Sequence, residues 1–258
     1  MNALPKPYYK DDFVTIYHGD CREIVPLLGK FDLLLTDPPY GIGLNTDNSR
    51  FSGGNAASVA RRGNGVGPAN GAKIYGDDAD FDPAFMMESA THKIIWGWNN
   101  FANKLSRGAC LVWIKRNDEA FQSFLSDAEV AWMSKGHGVY CRRDLSNNAI
   151  ANERCHPTQK PASLMAWCLS FFPDAKTILD PFAGSGTTGR AAKDLGRKCT
   201  LIEREERYCE IAAKRMRQEV LLPVAAVAPF KERELFGTPA EPLAHLDKHA
   251  TRANIHST

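Results

Sequence analysis

The chain has 258 residues, 43% of them hydrophobic, with 32 basic residues against 30 acidic ones and a formal net charge of +2. That length and apolar share suit one α/β domain with a large core and exclude a chain too polar to bury one. The near-zero balance excludes a uniformly basic surface, so any contact with a polyanion must come from local clusters. The seven cysteines form no Cys-x-x-Cys pattern, and Cys155-His156 lacks zinc partners at suitable spacing, so no metal is expected. With neither a signal peptide nor a transmembrane run in view, a cytoplasmic location with reduced thiols is expected.

Taken in chain order, Ile16-Tyr17-His18-Gly19-Asp20-Cys21 reads as a strand and turn, with Asp20 placed to cap a helix over 21–27. Residues 31–36 form a short apolar run ending at Asp37, which reads as a buried parallel strand. Ligand sites of open α/β sheets gather at such strand ends. The tetrapeptide Asp37-Pro38-Pro39-Tyr40 follows at once. Two prolines remove two backbone donors and fix φ, leaving a rigid set of acceptors beside a carboxylate and a flat ring. That set would suit an aromatic ring bearing an exocyclic amino group. A plain Pro-Pro turn with a packing tyrosine is the bland alternative.

Residues 41–78 are rich in Gly and Asn, carry Arg50, Arg61 and Arg62, and show almost no apolar periodicity. A long loop starting at the tetrapeptide is expected to be mobile and to close over a bound base, a simple insertion being the alternative. Strands are expected over 93–96 and 110–114, with an edge hairpin near 130–133. Trp96, Trp98, Asn99 and Asn100 could line a pocket, although sheet packing explains the tryptophans better. A helix is expected over 118–125. Between 135 and 160 lie Lys135, Arg142, Arg143, Arg154 and Lys160 against only Asp144 and Glu153, interleaved with Tyr140, Asn147, Asn148 and Asn152. This run is the best candidate for phosphate contact and base reading, with a solvated loop as the alternative.

A helix over 162–172 leads to the strand Thr177-Ile178-Leu179-Asp180, then Pro181-Phe182-Ala183-Gly184-Ser185-Gly186-Thr187-Thr188-Gly189 and a helical pattern over 187–195. Glycines let the backbone approach a ligand, and the helix start offers unpaired N–H groups. A further strand over 199–202 ends in Glu203, at about the 20-residue spacing where an acid receives ribose hydroxyls. A carboxylate at the mouth of the turn would repel a pyrophosphate and attract a cationic amino acid, so Asp180 favours S-adenosylmethionine over NAD. A helix over 205–218 closes the domain, and Arg190, Lys193, Arg197 and Lys198 read as a solvated face. Residues 223–258 read as an extended tail.

Asp-Pro-Pro-Tyr ahead of the Phe-x-Gly-x-Gly turn resembles the amino-methyltransferases of DNA, in their permuted class, over roughly residues 14–217. The resemblance implies a circularly permuted, Rossmann-like methyltransferase fold: a largely parallel seven-stranded sheet with an antiparallel edge hairpin and helices on both faces. It implies a catalytic half over 13–150, a cofactor half over 156–218 and a short target-recognition region over 135–155. Catalysis falls to Asp37, Pro38, Pro39 and Tyr40. S-adenosylmethionine is assigned to Asp20, Cys21, Asp37, Asp180, Phe182, Ala183, Gly184, Ser185, Gly186, Thr187 and Glu203. His156, Thr158 and Lys160 match the family's His-Pro-Thr-x-Lys-Pro motif and border the methionine end. Arg50, Arg61, Arg62, Lys135, Arg142, Arg143 and Arg154 are the candidates for DNA. The expected reaction is methylation of adenine N6 on a base flipped from the duplex, within a homodimer or beside a restriction endonuclease. Cytosine-N4, RNA or protein-amide acceptors are alternatives, as is an NAD-dependent oxidoreductase or a nucleotide-binding module.

Overall fold

The computed structural model describes residues 3–43, 75–121, 126–145 and 160–218. The expectations for residues 44–74 of the closing loop, for the tail, and for Arg50, Arg61, Arg62, Arg154, His156 and Thr158 therefore lie outside the described residues. Among the described residues nine strands form one sheet: β1 (Tyr9–Lys10), β2 (Val14–His18), β3 (Phe31–Thr36), β4 (Ala90–Trp96), β5 (Ala109–Ile114), β6 (Ala128–Met133), β7 (Val139–Arg143), β8 (Thr177–Asp180) and β9 (Lys198–Glu203). Their spatial order is β1-β2-β9-β8-β3-β4-β6-β5-β7. From β2 to β4 the five strands are parallel.

The strand residues alternate between two apolar layers, as a period of two requires when both faces are covered. Ile16, Leu33, Leu35, Ile94, Trp96, Ile178 and Leu201 face one layer. Tyr17, Leu34, Ile95, Leu179 and Ile202 face the other. Over the first lie α2 (Ala162–Ser170), α3 (Thr187–Asp194) and α4 (Glu206–Arg217), through Leu164, Leu169, Ala191, Ala192, Ala212 and Met216. The second is covered by the four-residue α1 (Cys21–Ile24) and by 3-10 turns such as Ala84–Ser89. Among the described residues the helical cover of the two faces is thus unequal: three α-helices against one short helix and 3-10 segments.

The architecture of an α/β sheet is as expected, with two differences in detail. The sheet has nine strands, because the two-residue β1 and the half-exposed β7 add to the edges. Nor is the antiparallel strand at an edge: β6 runs between β4 and β5, antiparallel to both. Its buried Ala131, Trp132 and Met133 leave no solvated face, so an interior place fits its composition better than a hairpin at the rim. The helix expected over 118–125 is a single 3-10 turn at Asp118–Ala120, after which Phe121 is extended; residues 122–125 lie outside the described set.

Candidate active site

The register of β3 against β8 pairs Leu33 with Ile178 and Leu34 with Leu179, so the two motif-bearing loops leave the sheet side by side. They are joined directly: Thr36 Oγ1 donates to Asp180 Oδ1 at 2.7 Å. A cleft of about 380 Å³ opens there, lined among others by Asp20, Asp37, Tyr40, Asp180, Gly184 and Glu203. The convergence demanded by the sequence, of two loops about 140 positions apart, is present.

On the glycine-turn side the backbone holds each acid. The Phe182 N–H donates to Asp180 Oδ1 at 3.1 Å, beside the Thr36 bond. Burial raises the Asp180 carboxyl to about 6, against the pull of those donors and of Thr188. Glu203, at the end of β9, accepts from the N–H groups of Gly184 (2.7 Å) and Glu205 (2.8 Å), and burial pushes its carboxyl up as well. Asp20 caps α1 through the Arg22 N–H at 2.9 Å and pairs with Arg204 at 3.3 Å, while lining the cleft. Gly186 has φ +78°, and a Cβ there would come within 2.8 Å of Ala212 Cβ, so the turn needs glycine to let α3 start against α4. Arg215 of α4 donates to Ser185 Oγ (3.3 Å) and Thr187 Oγ1 (3.0 Å), fixing the hydroxyls of the turn.

On the tetrapeptide side the anchors come from far away. Asp77 is buried, and its Oδ1 accepts from the N–H groups of Tyr40 (3.0 Å), Gly41 (2.9 Å) and Ile42 (3.3 Å). The exit of the Pro-Pro turn is thereby locked. The Tyr40 hydroxyl donates to Asp37 Oδ1 at 2.7 Å, and Lys160 Nζ donates to Asp37 Oδ2. Lys160 also donates to Tyr40 Oη at 3.2 Å and lies 5.2 Å from the centroid of the Trp96 ring. Gly97, at φ +74°, makes room for the tyrosine: a Cβ there would lie 1.9 Å from Tyr40 Cε1. Burial raises the Asp37 carboxyl above its ordinary range, with Lys160 and Tyr40 opposing and Glu129 adding to the rise. For Lys160 burial acts downward, but the charges of Asp37 and Glu129 prevail and hold it well above the usual lysine range.

The cleft therefore gathers Asp20, Cys21, Asp37, Pro38, Pro39, Tyr40, Lys160, Asp180, Phe182, Ala183, Gly184, Ser185, Thr187 and Glu203 in its walls, while Gly186 acts behind them in packing α3 on α4. Lys160 lines it with its ammonium taken up by Asp37, Tyr40 and Glu129, which puts its charge on the tetrapeptide. Arg142 and Arg143 end β7, which is parallel to β5 and so points to the same edge of the sheet as Asp37. Lys135 is not brought to this edge. It follows the far end of the antiparallel β6, where the Ser134 N–H donates to the Lys93 carbonyl at 2.9 Å. Trp96 is fully buried core, as packing alone predicts. Tyr75 also lines the cleft, its ring centroid 3.8 Å from the Arg204 guanidinium, and neither it nor Asp77, Gly97, Glu129 or Arg204 belongs to a sequence motif. Only Gly97, following an apolar strand, carried a signal that could have drawn attention.

Similarity to known proteins agrees with this geometry. A family model described as DNA methylase, of the N6/N4 methyltransferase type, matches residues 132–214. The Type II methyltransferase M2.LlaDCHI of Lactococcus lactis subsp. cremoris is 25% identical over 83% of this chain and 93% of its own length. The Type II methyltransferase M2.DpnII of Streptococcus pneumoniae is 26% identical over 84% and 94%. Among solved structures, the cytosine-N4-specific PvuII DNA methyltransferase shares the fold, with a TM-score of 0.54 at 16% identity over 86% of this chain and 93% of that one. By its motifs, its sheet and these relatives, the chain is similar in kind to the DNA amino-methyltransferases, the N6/N4 family model matching its cofactor-side half.

Proposed function

We propose that this chain transfers a methyl group from S-adenosylmethionine to the N6 amino group of adenine in DNA, acting on a base turned out of the duplex or on a single strand. The observation that carries the reading is the junction of β3 and β8, where Asp37 and Asp180 open into one cleft and are linked through Thr36. Bound S-adenosylmethionine supplies a sulfonium methyl electrophile. The acids that line the cleft suit a cationic, ribose-bearing molecule: Asp180 would hold its ammonium, Glu203 its ribose hydroxyls and Asp20 its adenine end. A pyrophosphate-bearing dinucleotide would meet the Asp180 carboxylate at the turn and is disfavoured.

The amino nitrogen of adenine is a poor nucleophile because its lone pair is delocalised into the ring. Asp37 and the carbonyl of Pro38 each accept one amino hydrogen, which draws the nitrogen toward a tetrahedral shape and aligns its lone pair. Asp37 retains the capacity to do so, because each carboxylate oxygen has two lone pairs and Tyr40 and Lys160 take one from each. The proton shed after transfer passes to Asp37 or to water. No covalent intermediate is needed, so the cysteines stay out of the chemistry. Arg142 and Arg143 contribute phosphate contacts.

Adenine is favoured over cytosine because an Asp, not a Ser, precedes Pro-Pro-Tyr. The N4 specificity of PvuII methyltransferase keeps cytosine as the second reading. Unmodified plasmid incubated with methyl-labelled S-adenosylmethionine and digested to nucleosides separates them. Label in N6-methyldeoxyadenosine is expected. Label in N4-methyldeoxycytidine would replace the adenine reading, and no labelled nucleoside would end both.

A further inference from the structure

Lys160 is shared by two carboxylates, and only one of them belongs to the Asp-Pro-Pro-Tyr loop. The other is Glu129, near the start of β6 and opposite Trp113 of β5. Because β6 runs against its neighbours, its beginning meets the ends of the parallel strands, which delivers Glu129 to the edge carrying Asp37. Lys160 Nζ lies 3.1 Å from Glu129 Oε2, with Asp37 Oδ2 and Tyr40 Oη as its other acceptors. An ammonium has three donors, and all three are engaged. Beyond Glu129, Lys115 Nζ lies 2.8 Å from Oε1. Four charges thus alternate inward from the rim: Lys115, Glu129, Lys160, Asp37. Side-chain exposure is 26% for Lys115 and 28% for Glu129, but only 4% for Lys160 and 23% for Asp37, so screening by water is weakest at the Lys160 ammonium that the two carboxylates share.

We infer that Glu129 is a positioning residue for methyl transfer: by sharing the Lys160 ammonium with Asp37, it anchors that carboxylate without neutralising it, leaving Asp37 its charge for the substrate amine. This rests on the proposed role of Asp37. A lysine paired to Asp37 alone would hold it equally still, but would compete with the amino hydrogens for its electron density. A second carboxylate on the same ammonium divides that pull. Burial acts to raise Glu129, but Lys160 and Lys115 outweigh it and leave the carboxyl at about 2, so it is ionised wherever the enzyme works. The charged and titratable groups facing Asp37 are Lys160 ahead of α2, Glu129 on β6, Asp180 on β8 and Tyr40 in its own loop.

The test uses the full chain, with pH profiles of kcat on plasmid DNA for wild type, Glu129→Gln and Lys115→Met. In Glu129→Gln a negative neighbour of Asp37 is lost. The acid limb should then move to lower pH while kcat at pH 8 drops about tenfold or more and S-adenosylmethionine affinity changes by less than about twofold. In Lys115→Met, Glu129 is left less neutralised, and the acid limb should move to higher pH. Displacements of opposite sign are expected of a charge row and not of two residues that merely support the fold. Limbs that stay in place in both variants, or move the same way, would overturn the inference. If Glu129→Gln does not fold, the sign for Lys115→Met alone decides. A wild type that labels no nucleoside would overturn the reading of Asp37, and this inference with it.

Discussion

Around the glycine turn the acids are held mainly by backbone amides of the same unit, Asp180 by Phe182 and Glu203 by Glu205 and Gly184, with Thr36 as a distant donor to Asp180. Around the tetrapeptide, Asp37 is held by Lys160, 123 positions away, and the backbone of Tyr40 by Asp77, 37 positions away. Apart from the Thr36 bond to Asp180, the first arrangement lies within the continuous unit from β8 to α4. The second exists only after the sheet has assembled, because its parts arrive on β3, on β6 and ahead of α2. On the proposed roles of these residues, ligand binding and chemical alignment depend on different scales of structure, and substitutions should separate them.

The sharpest separation comes from Asp37→Ala. Methyl transfer should fall by roughly 10²–10³-fold, as when one preorganised hydrogen-bonding group is removed from a reaction centre. Affinity for S-adenosylmethionine, measured by calorimetry, should survive. Loss of binding in this variant would merge the two sides again. On the other side, Asp180→Asn should weaken binding roughly tenfold to a hundredfold at pH 8, the worth of a charged hydrogen bond. The sign of the pH effect follows from the carboxyl lying at about 6: it is ionised above that value and takes up a proton below it. Wild-type affinity should therefore decline as pH falls through about 6, and Asp180→Asn should flatten that step.

Gly97→Ala probes the long-range side through packing alone. The new methyl would collide with the Tyr40 ring at a positive φ, which costs on the order of 1–3 kcal/mol in strain. A melting temperature lowered by several degrees and a reduced kcat with binding retained would place Gly97 on the chemical side. The smallest effect concerns DNA. Arg143→Ala should lower the salt slope of DNA binding by about 1, the share of a single phosphate contact. Lys135→Ala, at the opposite end of β6, should leave it unchanged. Equal slopes for the two would remove Arg143 from the DNA face.

The same contrast explains what could be read in advance. The strands over 31–36, 177–180 and 198–203 are apolar runs closed by Asp or Glu, and their pairing follows from the rule that ligand sites collect at parallel strand ends. Glu203 was found by spacing from the glycines. Glu129 has no such signature, because it sits in a strand whose direction is invisible in its hydrophobic pattern. A reversed strand shows the same period of two, so both the interior place of β6 and the arrival of Glu129 were hidden. The same reversal misled the reading of Lys135, which belongs to one basic run in sequence but leaves β6 at the wrong end. Asp77 follows the Gly- and Asn-rich stretch and acts as a cap for Tyr40, Gly41 and Ile42 at the beginning of that stretch, a closure that composition cannot announce.

On the proposed roles of Asp37 and Asp180, the seam between β3 and β8 serves as a ruler for the reaction. A slip of one residue there would slide Asp37 by about 3.3 Å against Asp180 and turn Thr36 to the opposite face of the sheet. In-line displacement tolerates far less than that. Distance between reactants is thus written into backbone pairing at the centre of the molecule, and the outer strands and their loops are left free to diverge in what they recognise without recalibrating the transfer itself.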